Sequence, residues 1–128
     1  MGFLNKMFSS SDENQSASKV GWRQLTDLGQ LNEIVAESTD KPVIIFKHST
    51  RCGVSRMVLK QFESEFDLKN TVIPYFLDLL EHRALSDAIA VRFEVGHQSP
   101  QLILIKNGKS VYDTSHSDIY VADLKRYV

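Results

Sequence analysis

The sequence has 128 residues, a formal charge of −1 at pH 7 and 42% hydrophobic residues. A chain of this length fits one domain with a core of its own. Its charge balance does not indicate a nucleic-acid partner, and no apolar stretch reaches the roughly 18 residues that a membrane-spanning helix needs. The single cysteine, Cys52, excludes an internal disulfide and fits a reducing compartment, so we expect a cytoplasmic protein.

The first 19 residues differ in composition from the rest. Residues 9–18 contain five serines among acidic and amide side chains, which is typical of a flexible tail. We therefore place the folded domain at residues 20–128. Residues 1–8 are more apolar, and one interpretation is a short amphipathic segment that touches a membrane or a partner. A frayed terminus is the simpler interpretation.

The predicted elements begin as alternating strands and helices. Residues 22–25 predict a short strand, and Thr26 or Asp27 is expected to cap the helix that follows. A continuous apolar strand is predicted over residues 43–47, of the kind that is buried on both faces. The next helix runs to about Asp67, and the apolar residues at every fourth position predict its buried face. These residues are Val54, Val58, Phe62 and Phe66.

The second half predicts two further units. A strand over residues 71–78 precedes a helix over about residues 82–93. A strand over residues 101–106 is followed by Asn107-Gly108, a strong two-residue hairpin signal, and an antiparallel return strand. Ser117 or Asp118 is expected to cap a last helix. Crossover connections imply parallel pairs first and the hairpin adds an antiparallel pair, so we predict an α/β fold with a mixed central sheet flanked by helices on both faces.

The cysteine lies where the second strand passes into a helix. The first turn of a helix has unpaired N–H groups and the positive end of the macrodipole, and both favour an anion such as a thiolate. Only the thiolate is a competent nucleophile. Basic side chains nearby add positive charge, with no acidic residue from position 41 to position 62: they are Lys47, His48, Arg51 and Arg56. The alternative, a buried and inert cysteine, fits poorly with a polar loop.

Ser55 stands three residues after Cys52, one helical turn along the same face. In Cys-x-x-Cys oxidoreductases a second thiol occupies this position. A serine hydroxyl can donate a hydrogen bond to the thiolate but cannot form a disulfide, so the chemistry of this site is expected to be monothiol. Ser55 taken alone is equally an ordinary serine of the first helical turn.

This arrangement resembles the thioredoxin superfamily. The resemblance rests on the strand–Cys-x-x-Ser–helix unit, a short helix ending near residues 91–95, a proline before the next strand, and a terminal hairpin with a last helix. It implies that Pro100 follows a cis peptide bond beside Cys52. It also implies that the backbone of Ser99 pairs with an extended substrate segment.

Within the superfamily, the sequence is similar to the monothiol bacilliredoxins, the bacillithiol-system proteins of the YtxJ type. The similarity covers roughly residues 20–128 and rests on three short motifs: Phe46-Lys47-His48-Ser49, Thr50-Arg51-Cys52-Gly53-Val54-Ser55 and Ser99-Pro100-Gln101. Gly53 is a departure, because that family commonly has proline there. The glycine also makes the motif look like the Cys-Gly-Phe-Ser of monothiol glutaredoxins.

The resemblance implies removal of bacillithiol from S-bacillithiolated proteins, with bacillithiol or another low-molecular-weight thiol as co-substrate and no metal. Cys52 and Ser55 are the expected catalytic residues. The expected thiol- and substrate-binding residues are Lys47, His48, Thr50, Arg51, Gly53, Arg56, Ser99 and Pro100.

Individual roles within that set follow from side-chain chemistry. Arg51 and Arg56 are expected to grip the malate carboxylates of bacillithiol, with Lys47 pairing with the same anion, although solvated arginines are the alternative. His48 is a candidate acid or base for the leaving thiol, and a histidine that hydrogen-bonds the loop is the alternative. The other histidines are interpreted as surface residues: His82, His97 and His116.

Two other functions remain open from the sequence. In the first, Cys52 and a thiol cofactor bind a [2Fe–2S] cluster across a dimer, as in Cys-Gly-Phe-Ser glutaredoxins; such clusters take four cysteine-type ligands. In the second, the protein is a redox-inert adaptor that recruits partners through its N-terminal segment. The adaptor would keep its function after a Cys52→Ala change.

Overall fold

The structure, a computed structural model, describes residues 20–128; the predicted tail and its apolar first segment lie outside these residues. None of the described helices is long and apolar enough to cross a membrane. The strands are β1 (Arg23–Gln24), β2 (Val43–His48), β3 (Ile73–Asp78), β4 (Gln101–Lys106) and β5 (Lys109–Ser115). The α-helices are α1 (Gly29–Glu37), α2 (Gly53–Glu65), α3 (Arg83–Phe93) and α4 (Val121–Leu124).

The strands form one mixed sheet in the order β1-β3-β2-β4-β5. β3 is parallel to both β1 and β2, whereas β4 is antiparallel to β2 and β5. The central strand β2 is therefore covered by neighbours at both edges, and all six of its residues are buried. This confirms the predicted mixed sheet and the continuous apolar strand at its centre.

Two hydrophobic clusters lie on opposite faces of the sheet. Side chains alternate along a strand, so Val43 and Ile45 of β2 join the cluster beneath α1 and α3. Ile44 and Phe46 join the other cluster, beneath α2 and α4. The predicted arrangement of helices on both faces is thus confirmed, and consecutive residues of β2 face different helices.

The strand register fixes what lies at the end of β2. Lys47 is directly opposite Gln101 of the antiparallel neighbour β4, and it is also paired with Leu77 of β3. β2 ends, and the loop that carries Cys52 begins, at the same end of the sheet where residues 96–100 enter β4. Two loops from distant parts of the sequence consequently meet there.

Some predicted boundaries hold and others do not. The hairpin turn is confirmed, since Asn107 and Gly108 both have the positive φ angles, 53° and 77°, that a two-residue turn of this type requires. The first helix begins after Leu28 rather than after Thr26 or Asp27, although the Asp27 carboxylate accepts a hydrogen bond from the Gly29 amide at 2.9 Å.

The predicted start of the last helix is wrong. Ser117 and Asp118 lie in a short 3₁₀ turn, the chain is extended at Ile119 and Tyr120, and α4 starts only at Val121. Ile119 is buried in this extended stretch, so tertiary packing overrides the local capping signal. The predicted buried face of α2 also fails at one position: Val54 is exposed, because the first turn of α2 stands at the rim of the sheet.

Candidate active site around Cys52

Cys52 is the residue immediately before the first turn of α2. Its backbone is extended, and its carbonyl accepts the hydrogen bond from the Arg56 amide that begins the helical pattern. The Cys52 amide donates to the Ser49 carbonyl at 3.2 Å, which closes the loop after β2. Cys52 is partly exposed, and no side chain among residues 20–128 caps the first turn of α2. The N–H groups of that turn are therefore available to stabilise negative charge at the sulfur.

Ser55 points into the protein from the same turn. Its hydroxyl is fully buried, lies 2.8 Å from Nδ1 of His48 and accepts a hydrogen bond from the Ser49 amide at 3.1 Å. Ser55 thus joins α2 to the end of β2 and to the loop that carries the cysteine. That its hydroxyl donates to the thiolate stays a prediction. The hydroxyl has one hydrogen, so donation to the thiolate would compete with donation to His48.

His48 is the last residue of β2 and lies on the α2 face of the sheet. Its ring packs against Phe76 with 5.5 Å between ring centroids, and only 5% of the residue is exposed. Burial lowers the pKa of His48; Asp78 acts against this shift and Arg56 adds to it. A neutral imidazole bonded to Ser55 is the loop-supporting histidine that the sequence left as an alternative. A role in proton transfer to a leaving thiol stays a prediction.

The surface around the thiol is cationic. Thr50, Arg51, Gly53 and Arg56 are all exposed. The Arg56 guanidinium donates to the Thr50 carbonyl at 2.9 Å and so lies across the loop. A Cβ at position 53 would meet only the end of the Arg56 side chain, at 3.8 Å, so the site has room for a larger residue than glycine. The Arg56 guanidinium therefore lies next to the Cys52 loop, and Arg51 is exposed directly before Cys52 in the chain.

Lys47 lies on the opposite face of the sheet from His48. Its side chain is fully buried, and its ammonium group donates to the Ser86 carbonyl at 3.2 Å and lies 3.4 Å from Nδ1 of His97. Burial lowers the pKa of Lys47 to about 8, and Asp87 opposes the shift. The predicted pairing of Lys47 with a ligand anion is untested, and it would require the ammonium group to leave these contacts.

Residues 96–100 enter β4 at the end of the sheet where β2 passes into the loop that carries Cys52. The Ser99–Pro100 peptide bond is cis. Pro100 is buried, and its carbonyl accepts a hydrogen bond from the His116 amide at 2.9 Å. Within residues 20–128, no partner is found for the buried hydroxyl oxygen of Ser99. The β4 ladder begins only at Gln101, so Ser99 stands just outside the paired part of the sheet.

Several residues that support the site were not singled out from the sequence. His97 contacts Lys47 and the Ser86 hydroxyl, and His116 lies 3.0 Å from the side-chain oxygen of Gln98, so two histidines interpreted as surface residues hold the segment before Pro100. The available signal was the alternation of β2, which places Lys47 on the buried face of Val43 and Ile45. A cation on such a face needs polar partners nearby.

No group of three or more His, Cys, Asp or Glu side chains in the described residues could hold a metal ion. The arrangement around Cys52 instead offers a single accessible thiol at a helix N-terminus, two arginines beside it and a buried serine where a second thiol would stand. These groups can carry out an exchange at one sulfur.

The comparison with known proteins agrees with this chemistry. Residues 23–124 match the family model of the monothiol bacilliredoxin BrxC. The chain belongs to the monothiol bacilliredoxin family. Its single cysteine therefore serves a thiol redox function, of the general class of thiol–disulfide oxidoreductases.

Solved structures support the same fold. A proposed oxidoreductase with a thioredoxin fold is 33% identical, with a TM-score of 0.70 over 80% of this chain and 89% of that chain. The thioredoxin Mala s 13 of Malassezia sympodialis is 20% identical, with a TM-score of 0.66 over 85% of this chain and 89% of its own. Fasciola hepatica thioredoxin is 19% identical, with a TM-score of 0.62 over 81% and 93%. The two thioredoxins show the fold alone.

Proposed function

We propose that this bacilliredoxin removes bacillithiol from S-bacillithiolated proteins through nucleophilic attack by Cys52. The observation that carries the proposal is the pairing of an accessible thiol at the start of α2 with a serine, Ser55, whose hydroxyl is buried one turn later. With one thiol in the chain, the disulfide formed on Cys52 can be resolved only by another molecule. A low-molecular-weight thiol is the natural second reactant.

The reaction is a pair of thiol–disulfide exchanges. The Cys52 thiolate attacks the bacillithiol sulfur of the mixed disulfide, and the substrate protein leaves as a thiolate that takes a proton from solvent. Cys52 then carries bacillithiol as a new disulfide. A second bacillithiol thiolate attacks this disulfide, so bacillithiol disulfide forms and the Cys52 thiolate returns. Each step replaces one disulfide with another and one thiolate with another, so no further oxidant or reductant is needed.

The residues around Cys52 take distinct parts in this proposal. Arg51 and Arg56 bind the carboxylates of bacillithiol, which is supported by the exposure of both side chains beside the thiol. The backbone of Ser99, just before the N-terminal end of β4, receives an extended segment of the substrate protein. The cytoplasm, where small thiols keep cysteines reduced, is the proposed location.

Intact-protein mass spectrometry tests the proposal directly. The protein is incubated with bacillithiol disulfide, and the expected result is one bacillithiol adduct on Cys52 and none on a Cys52→Ser variant. A second reaction contains an S-bacillithiolated test protein and free bacillithiol, and we expect loss of the modification only with the wild-type protein. An unreacted Cys52 at neutral pH would contradict the proposal and favour the redox-inert adaptor.

The same preparation addresses the cluster-binding alternative. A [2Fe–2S] cluster gives visible absorbance, so a coloured protein that loses its bands with the Cys52→Ser change would support that function. We expect a colourless protein whose reaction with bacillithiol disulfide needs no iron.

A further inference from the structure

Two buried polar side chains on the α3 face of the sheet, those of Lys47 and Gln101, contact the segment before Pro100. Lys47 and Gln101 are direct partners across β2 and β4, so their side chains lie side by side on the α3 face of the sheet. The Lys47 ammonium contacts His97, and the Gln101 amide nitrogen donates to the Gly96 carbonyl at 2.9 Å. Adjacent residues of the segment, 96 and 97, are therefore held by adjacent residues of the sheet. We call Lys47, Ser86, His97 and Gln101 the Lys47 cluster.

The Lys47 cluster carries a charge where packing alone would favour an apolar residue. Lys47 is fully buried and Gln101 is 1% exposed, whereas Val43 and Ile45 on the same face of β2 belong to the hydrophobic cluster beneath α1 and α3. A buried ammonium group loses solvation that two contacts do not fully replace. The Oε1 atom of Gln101 is also buried without a partner among the described residues. A leucine at position 47 would satisfy the core but could not reach His97.

The position of the cluster relative to Cys52 suggests why the charge is there. Residues 96–100 lie at the end of the sheet where the Cys52 loop begins. Lys47 is opposite Gln101, and the Cys52 loop begins two residues after Lys47. A protein disulfide has to place a large surface next to the sulfur, and residues 96–100 lie at that end of the sheet. A small reagent does not need to touch this segment.

We propose that Lys47 is a positioning residue for protein substrates: its buried ammonium group ties α3 to His97 and thereby holds residues 96–99 in the conformation that a protein disulfide meets. This inference rests on the proposed function for its physiological substrate. It separates the two reactants of Cys52, because the protein partner depends on the Lys47 cluster and the small thiol does not.

The contact between Lys47 and His97 also sets a pH dependence. A charged ammonium group can only donate, so Nδ1 of His97 must accept and the imidazole must be neutral. The other charged groups near the pair are Asp87 and Arg83 on α3, while Leu77 and Gln101 of the adjoining strands are uncharged. Protonation of His97 in acid places two cations in contact, so the tie to residues 96–99 is lost.

The test compares two reactions of Cys52 in four variants. The first reaction is reduction of a folded protein that carries a mixed disulfide, and the second is alkylation by iodoacetamide. The variants are Lys47→Met, His97→Ala, His97→Asn and the control Lys41→Met, which removes an exposed charge at the far end of β2.

For Lys47→Met and His97→Ala we expect the catalytic efficiency toward the protein to fall about tenfold, the loss typical of one hydrogen bond to a charged group, mainly through a higher KM. Alkylation should stay within about twofold in both. His97→Asn keeps an acceptor near Nδ1 and does not titrate. It should therefore restore activity at neutral pH and remove the loss of activity in acid. Lys41→Met should match the wild type in both reactions.

Three results would overturn the inference: wild-type efficiency in His97→Ala, a parallel fall in alkylation, or failure of His97→Asn to restore activity. His97 is exposed, so these variants keep the test valid even if Lys47→Met does not fold. The proposed function is judged separately. If the wild type does not reduce the S-bacillithiolated protein, the same comparison is made with a protein activated as a mixed disulfide with thionitrobenzoate.

Discussion

Consecutive residues at the end of β2 hold the two walls of the active site in different ways. His48 faces α2 and is linked to Ser55 at 2.8 Å, and this neutral pair supports the loop of Cys52. Lys47 faces α3 and supports residues 96–97 through longer contacts of a buried cation, 3.2 and 3.4 Å. On its buried side, the loop of the nucleophile is thus held by uncharged hydrogen bonds, and the Arg56 guanidinium contacts it from the exposed side. The wall that we assign to the protein substrate depends on a buried ammonium group, so it is the one whose stability should change with pH in alkaline solution.

The largest expected effect is on the free energy of unfolding of the protein in alkaline solution, where Lys47 titrates. Burial lowers the pKa of Lys47 from 10.5 to about 8, so between these values the unfolded chain binds a proton that the folded chain lacks. The free energy of unfolding must then rise with pH through this window, by up to roughly 3 kcal/mol. In Lys47→Met this rise should be absent.

Urea unfolding of the wild type and Lys47→Met across the window measures the effect as a difference, which cancels the titration of tyrosines. Lys41→Met should keep the wild-type slope. Parallel curves for the wild type and Lys47→Met would mean that the ammonium group is solvated, and the contrast between the two sides of β2 would disappear.

The support of the Cys52 loop by His48 should weaken when the Ser55 hydroxyl is removed. In Ser55→Ala, the buried His48 nitrogen and the Ser49 amide lose their common partner, so we expect a loss of roughly 2 kcal/mol in stability at neutral pH. Ser64→Ala is the matched control on the same helix, because its exposed hydroxyl donates to the Gln61 carbonyl one turn earlier. It should change stability by less than about 0.5 kcal/mol. Equal losses in the two variants would show that Ser55 has no special part.

A smaller effect is expected in acid, where both walls contain a histidine. Burial lowers the pKa of His48 and of His97, so the folded state binds fewer protons than the unfolded chain as pH falls through the usual range of histidine. Stability should therefore be full above about pH 6.5 and fall below it. His48→Asn and His97→Asn should each flatten part of this acid limb, with the larger change for the more buried His48. An unchanged limb in both variants would contradict the assignment of neutral imidazoles.

The sequence predicts the nucleophile side of this site better than the other side. Cys52 and Ser55 are three residues apart in the chain, and this local spacing places them in one helical turn. The strand over 101–106 and the hairpin at Asn107 are likewise local signals, and the structure has both.

The Lys47 cluster joins β2, α3 and the segment before Pro100, which no local pattern connects. Counting charges by distance along the chain placed Lys47 with Arg51 and Arg56. The alternation of β2 places it instead with Val43 and Ile45. Ser117 and Asp118 fail for the same reason, since a capping signal cannot report that Ile119 is needed in the core.

The smallest expected effect concerns Arg56, the exposed counterpart of the two buried supports. Its guanidinium bonds the Thr50 carbonyl beside the thiol. Arg56→Gln should leave stability within about 0.5 kcal/mol, as for most surface charges. It should slow the reaction of Cys52 with bacillithiol disulfide about threefold, because one exposed charge pair with a carboxylate is lost. Hydroxyethyl disulfide has no charge, so its rate of reaction with Cys52 serves as the control and should not change.

Arg56→Lys should recover only part of the lost rate if bidentate contact with the carboxylate matters, and all of it if charge alone matters. A slower reaction with both disulfides would instead assign Arg56 to the reactivity of the thiol itself.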